Sequence, residues 1–176
     1  MTDPVIRDAV ASDIPALHAL VESAYRGEAS RAGWTTEADL LDGQRTDPED
    51  LSSILDDPEQ GLLTAWEGDR LLGCILIARR GEGVGYFGML SVSPTLQNAG
   101  LGRRLVETAE RAMEDRFGAR RVRISVIPQR EALIAWYERL GYVATGETLP
   151  FPYGDTRFGL PKRDDLRFIV MEKALG

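Results

Sequence analysis

The sequence predicts a mixed α/β domain, a mostly antiparallel central sheet of about seven strands with helices on both faces. Three observations carry that prediction. Short apolar or alternating runs bounded by Gly and Pro recur along the chain at residues 5–10, 61–67, 71–78, 84–92, 121–127, 142–147 and 166–172. Between them lie stretches whose apolar residues return every three or four positions, as one face of a helix requires. Finally, 176 residues with 43% apolar and 28% charged side chains can bury a full core, and they suit one domain spanning 1–176.

In chain order, Val5, Ile6 and Val10 form a first strand, and Ser12 or Asp13 caps a helix with Pro15 in its first turn. Ile14, Leu17, Leu20, Val21 and Ala24 supply its apolar stripe; His18 lies off that stripe and reads as structural. Residues 28–50 are irregular and carry Trp34, with Thr36 placed to cap a short helix from Glu37. A further helical turn follows over 50–55 and stops near Pro58. Gly68-Asp69-Arg70 joins two strands into a hairpin, and the glycine-rich turn at 81–85 leads into the strand over 84–92. Leu101, Leu105, Val106, Ala109, Met113 and Phe117 define the next helix. After the strand over 121–127, Pro128 marks a turn, and a helix over 131–140 ends at Gly141. The long connection over 151–163 precedes the last strand.

Composition excludes several classes. The net charge of -7 argues against general nucleic-acid binding, and no apolar run approaches the length of a membrane span. The N-terminal residues, with Asp3 and Asp8, lack a secretory pattern, and the single Cys74 forms no internal disulfide, so a cytoplasmic protein is expected. No metal-ligand spacing occurs. Charge is uneven: nine acidic residues and one arginine lie between Glu37 and Gln60, and nine arginines with six acids between Arg103 and Arg139. The first segment suits attraction of a cationic amine and the second an anionic cofactor; ordinary solvated surface accounts for either.

The chemistry is signalled where strand 84–92 gives way to the helix beginning at Leu101. Gly100 and Gly102 sit in the first turn, where backbone N–H groups lack internal partners and the helix dipole favours negative charge, so a phosphate or pyrophosphate is the expected ligand. A dinucleotide fingerprint needs a third glycine where Leu105 stands. A nucleotide P-loop needs Lys and Ser or Thr where Arg103 and Arg104 follow Gly102.

Gln97-Asn98-Ala99-Gly100-Leu101-Gly102 resembles the Gln/Arg-x-x-Gly-x-Gly/Ala signature of the GCN5-related N-acetyltransferases. Tyr137-Glu138-Arg139-Leu140-Gly141-Tyr142, in the correct order after it, resembles that family's Tyr-x-x-x-Gly-Phe/Tyr segment. The resemblance runs from Val5 to Met171 and is weakest over 28–58. It implies an acyl-CoA N-acyltransferase-like fold and acetyl-CoA as cofactor. The partner it implies is a small-molecule amine or peptide amino-terminus, with neither nucleic acid nor membrane, and a homodimer is compatible with it. Carried over residue by residue, it places pantetheine contacts at Leu90, Ser91 and Val92, and pyrophosphate contacts at Gln97, Asn98, Ala99, Gly100, Gly102 and Arg103. Tyr137 becomes the general acid toward the coenzyme sulfur; packing beside Trp136 is the alternative role. Acceptor contacts fall among Tyr25, Trp34 and Glu37, each aromatic being equally suited to packing.

Two departures stand out. Relatives commonly have asparagine seven residues before the motif tyrosine, where this chain has Arg130, which cannot accept a hydrogen bond and so replaces that cofactor contact with a phosphate-directed one or loses it. The strand Tyr86–Val92 contains no carboxylate to serve as general base, leaving Glu28, Glu37 or no side-chain base. These departures also fit a cofactor-binding sensor or partner-binding module with little transfer activity.

Overall fold

The computed structural model describes residues 3–25, 41–42, 46–96, 100–151, 160–162 and 164–176. The strands are β1 Val5–Asp8, β2 Leu41–Asp42, β3 Gln60–Glu67, β4 Arg70–Arg79, β5 Val84–Val92, β6 Arg121–Val126, β7 Val143–Pro150, β8 Leu160–Pro161 and β9 Arg167–Ala174. The helices are α1 Ile14–Tyr25, α2 Pro48–Asp56, α3 Leu101–Phe117 and α4 Glu131–Arg139. Seven strands form one sheet in the order β1-β3-β4-β5-β6-β9-β7, in which β5 and β6 run parallel and every other neighbouring pair antiparallel. The seven strands of this sheet, α1 and the three later helices follow one another as predicted, while the short helix expected from Glu37 lies outside the described residues.

The sheet separates two cores. On one face, Leu105, Val106, Ala109 and Met113 of α3 and Leu133 and Tyr137 of α4 pack on Ile75, Ile77, Phe87 and Val122. On the other, Leu17, Leu20 and Val21 of α1 and Leu51 and Ile54 of α2 pack on Leu62, Cys74 and Met89. Gly73 and Gly85 let α3 lie close: a Cβ at Gly73 would stand 2.9 Å from Leu105 Cδ1, and one at Gly85 2.7 Å from Met113 Sδ.

Several local expectations are corrected. β1 ends at Asp8, short of Val10, because the chain turns there into a 3-10 segment over Ala11–Asp13. Asp13 fastens that turn by accepting from the Val10 amide at 2.8 Å and from Arg7 at 2.9 Å. The Arg7 hydrogen bonds hold its carboxyl below the usual range against an opposing effect of burial. α2 starts at Pro48, with Asp47 as its cap accepting from the Asp50 amide at 2.7 Å. The β2–β8 ribbon was not expected; it pairs Leu41 with Pro161 and Asp42 with Leu160, joining the connection after α1 to the connection between β7 and β9.

Candidate active site

The β5–β6 pairing is short. Val84, Gly85 and Tyr86 pair with Arg121, Val122 and Arg123, after which β5 continues to Val92 and β6 to Val126 without further pairing. Parallel neighbours that part in this way leave a cleft through the sheet, opening toward the carboxyl ends of both strands, a common place for ligands in α/β sheets.

β5 is bulged at the lip of this cleft. Its register against β4 passes from Leu76↔Gly88 to Cys74↔Ser91, so Met89 and Leu90 together oppose Ile75. Met89 has φ +53, the one positive φ at a non-glycine residue among those described. The extra residue switches the face that even positions occupy: Phe87 points to the α3 core before it, Leu90 and Val92 after it. Side chains hold the displaced carbonyls. Met89 O accepts from Ser91 Oγ at 3.0 Å and from Cys74 Sγ at 3.8 Å, and Leu90 O accepts from the Tyr25 hydroxyl. The Ser91 side chain is thus buried and committed to the bulge, leaving its backbone as the part able to face a ligand.

The α3 N-terminus opens at the same end. Gly100 caps it with φ +82 and ψ 0, and a Cβ there would meet nothing within 4 Å, so glycine serves the left-handed backbone beside open space. Gly102 is differently placed. It is buried, and a Cβ there would meet the Trp136 ring at 3.5 Å, an ordinary van der Waals contact, so Trp136 of α4 packs directly over this position. Leu101 is core, as expected. Arg103 is exposed on the first turn and pairs with Glu107 at 3.0 Å. Gln97, Asn98, Ala99, Trp34, Glu37 and Glu28 lie outside the described residues.

Tyr137 projects from α4 into the core behind β5, 7% exposed, with edge contacts to Phe87 at 5.8 Å and Tyr142 at 6.1 Å between ring centroids and a tilted contact to Trp136 at 5.2 Å. Its neighbour Tyr142 donates to Glu110 Oε2 at 2.7 Å, and Lys173 Nζ lies 3.0 Å from the same oxygen. Burial, and then the Glu110 charge, push the Tyr142 phenol far above its ordinary range, so it stays protonated. Sequence reasoning missed this triad, although Glu110 four residues after Val106 and three before Met113 was a signal: an acid on an apolar stripe needs partners.

Arg130 is the N-cap residue of α4 and lies with its guanidinium 5.6 Å from the Tyr25 ring centroid. Tyr25, Leu90 and Arg130, predicted from three separate segments, therefore meet at the cleft. Next to Arg130, the buried Gln129 Oε1 has no hydrogen-bond partner among the described residues. Three described acids of the acidic segment are engaged elsewhere: Asp47 caps α2, Asp50 accepts from Thr46 Oγ1, and Asp57 accepts from Gln60 and the Glu59 amide.

A sequence profile of the Acetyltransferase (GNAT) family matches residues 16–142. The chain belongs to the GNAT acetyltransferase family. The matched span includes all but the first two residues of α1, the bulged strand, the glycine-capped helix and Tyr137 through Tyr142. Among curated relatives, mycothiol acetyltransferase of Geodermatophilus obscurus is 35% identical over 88 residues, covering 47% of this chain and 28% of that protein, so the match spans well under half of that relative's length. Among solved structures, ribosomal-protein-alanine N-acetyltransferase from Brucella melitensis superposes with a TM-score of 0.68 at 23% identity, covering 97% of this chain and 99% of the other. The yncA protein of Salmonella typhimurium, solved with its cofactor acetyl-CoA, superposes with a TM-score of 0.70 at 19% identity, covering 99% and 95%. At these identities the structures establish the shared GNAT fold. No described helix of this GNAT-family chain is long and apolar enough to cross a membrane.

Proposed function

We propose that the protein transfers the acetyl group of acetyl-CoA to the amine of a small acceptor by direct attack on the thioester. The observation that carries this reading is the coincidence, at one end of the sheet, of the β5–β6 cleft, the Met89–Leu90 bulge and the glycine-capped start of α3. The residues present fit the coenzyme. Open space beside Gly100 and the unpartnered first-turn amides of α3 suit pyrophosphate, and the orphaned Gln129 Oε1 suits an amide N–H of the pantetheine arm. Acetyl-CoA supplies the activated acyl carbon, which gains a C–N bond as its C–S bond breaks.

Each protein group then has one task. Backbone of Leu90, Ser91 and Val92 orients the pantetheine arm, and a bulge N–H stabilises charge on the carbonyl oxygen. Arg103 adds charge to the pyrophosphate site. Tyr137 Oη gives its proton to the departing sulfur, while the acceptor amine loses a proton to solvent or to a base outside the described residues. Asp47, Asp50 and Asp57 of the acidic segment are engaged by hydrogen bonds within α2 and its flanks, so these three lend no support to a cationic acceptor.

Arg130 in place of the usual asparagine favours a second reading, an acyl-CoA sensor with little turnover. Titration with acetyl-CoA followed by a thiol-release assay over mixed amines separates the two. Saturable binding with amine-dependent release supports the transferase, binding without release supports the sensor, and absence of binding up to millimolar acetyl-CoA defeats both.

A further inference from the structure

On the α1 face of the sheet, a groove of about 390 Å³ runs beside the cleft, lined by Arg80, Tyr86, Arg123, Ser125, Glu147 and Leu149. Tyr86 and Arg123 are the last paired rung of β5 and β6, so groove and cleft meet at the vertex where the strands part. Neither α1 nor α2 joins Arg80 or Glu147 in lining it, and every residue of β7 is exposed.

The groove has a definite polarity. Arg123 is neutralised by Glu147, with which it is ion-paired, and by Glu172 at 3.3 Å. Arg80 has no carboxylate within ion-pair distance among the described residues; Asp57 feels its charge only as the weakest influence on its own carboxyl. The Arg80 guanidinium instead stacks on the Tyr86 ring at 4.7 Å, which leaves its N–H edge available to a planar anion. Tyr86 extends along β5 toward the bulge: a Cβ on Gly88 would stand 2.7 Å from the Tyr86 hydroxyl oxygen. Glycine at 88 therefore makes room for that phenol. The hydroxyls of Tyr86 and Ser125 have no hydrogen-bond partner among the described residues.

We propose that this groove seats the acceptor, with Arg80 binding a carboxylate beside the Tyr86 ring and the amine reaching past the Tyr86 and Ser125 hydroxyls to the bulge at Leu90. The acceptor class is then an amine carrying a carboxylate some distance away, as a short peptide does. Tyr86 and Leu90 are four residues apart, about 10–13 Å along a strand, and an extended tripeptide spans about 10 Å. This rests on the transferase reading, which supplies the reason for an amine to approach the bulge.

The test is equilibrium binding, independent of turnover. Isotope-labelled protein saturated with coenzyme A is titrated with triglycine and with triglycine amide, following backbone resonances. The expected result is saturable shifts at Tyr86, Gly88 and Ser125, with the free acid binding about three- to tenfold more tightly than the amide, as one partly exposed charge pair provides. Arg80→Met, which keeps a side chain over the Tyr86 ring but removes the guanidinium, should bring the acid down to the amide's affinity while leaving the rest of the spectrum unchanged. Equal binding of acid and amide, an acid affinity untouched by Arg80→Met, or no saturable shift in the groove would each overturn the proposal. A transferase active on amines yet showing any of these results would lose only this acceptor subsite.

Discussion

The Tyr25 hydroxyl donates a hydrogen bond to the carbonyl oxygen of Leu90, tying the last turn of α1 to the bulge of β5 across 65 residues of sequence. In the proposed reaction the bulge presents β5 backbone to the thioester, and Met89 holds a left-handed conformation there that its own side chain disfavours. Tyr25, together with Ser91 and Cys74, supplies part of what keeps that conformation in place.

Tyr25→Phe should leave the Leu90 carbonyl, in a buried residue, without this donor. The expected cost is about 1–3 kcal/mol of stability, read as a lower denaturant midpoint, together with a fall in kcat larger than any rise in the KM for acetyl-CoA. An unchanged midpoint and kcat would mean that the bulge holds itself.

Tyr137→Phe removes one hydroxyl and keeps the ring that contacts Phe87 and Tyr142. Turnover should fall by about 10²-fold or more, the usual scale for losing a general acid, with little change in acetyl-CoA affinity or melting temperature. Equal turnover of variant and parent across neutral pH would return Tyr137 to a packing role.

Gly102→Glu is a poor probe of the pyrophosphate site, because the new carboxylate would be forced against Trp136. Arg103→Glu is cleaner. The residue is exposed, so loss of its Glu107 pair should change stability by less than about 1 kcal/mol. Acetyl-CoA affinity should drop about three- to tenfold at low salt, the difference shrinking as ionic strength rises. Equal affinities at low salt would put the pyrophosphate away from the first turn of α3.

The Tyr142–Glu110–Lys173 triad makes a pH prediction. Burial and the Glu110 charge raise the folded-state pKa of Tyr142 above its ordinary 10.0. The folded protein then holds a proton that the unfolded chain releases above pH 10, so this contribution to stability is intact below that pH and is lost as pH rises beyond it. Tyr142→Phe should cost about 1.5–3 kcal/mol at neutral pH, the scale of a hydrogen bond to a charged group. It should also show a shallower loss of stability above about pH 10 than the parent. Parallel stability curves for the two proteins would contradict the assignment.

The sequence made legible what depends on local pattern. The apolar stripe from Leu101 through Met113 and the alternation over 121–126 signal their elements without help from distant residues, and the two motif segments signal the family. The Met89–Leu90 bulge was not legible, since a left-handed methionine is imposed by neighbours from α1 and β4 rather than by its own preference. Gly102 shows the same limit from the other side. A small residue at the helix start was apparent, but that Trp136 of α4 packs over it depends on helix packing. The β2–β8 ribbon, two residues per strand, is too short to show any periodicity. The Tyr86–Gly88 relation escaped because a glycine beside an aromatic residue in a strand looks like ordinary sheet until the phenol is seen lying over it.

Amine-dependent release of coenzyme A thiol, measured with acetyl-CoA and pools of chemically distinct amines and confirmed by product mass, tests the central claim most directly. The account predicts release above the acceptor-free rate for at least one pool, a product heavier by one acetyl group, and near loss of both with Tyr137→Phe. Saturable acetyl-CoA binding with no release from any pool, short peptides included, would contradict acetyl transfer to a small amine and favour the sensor.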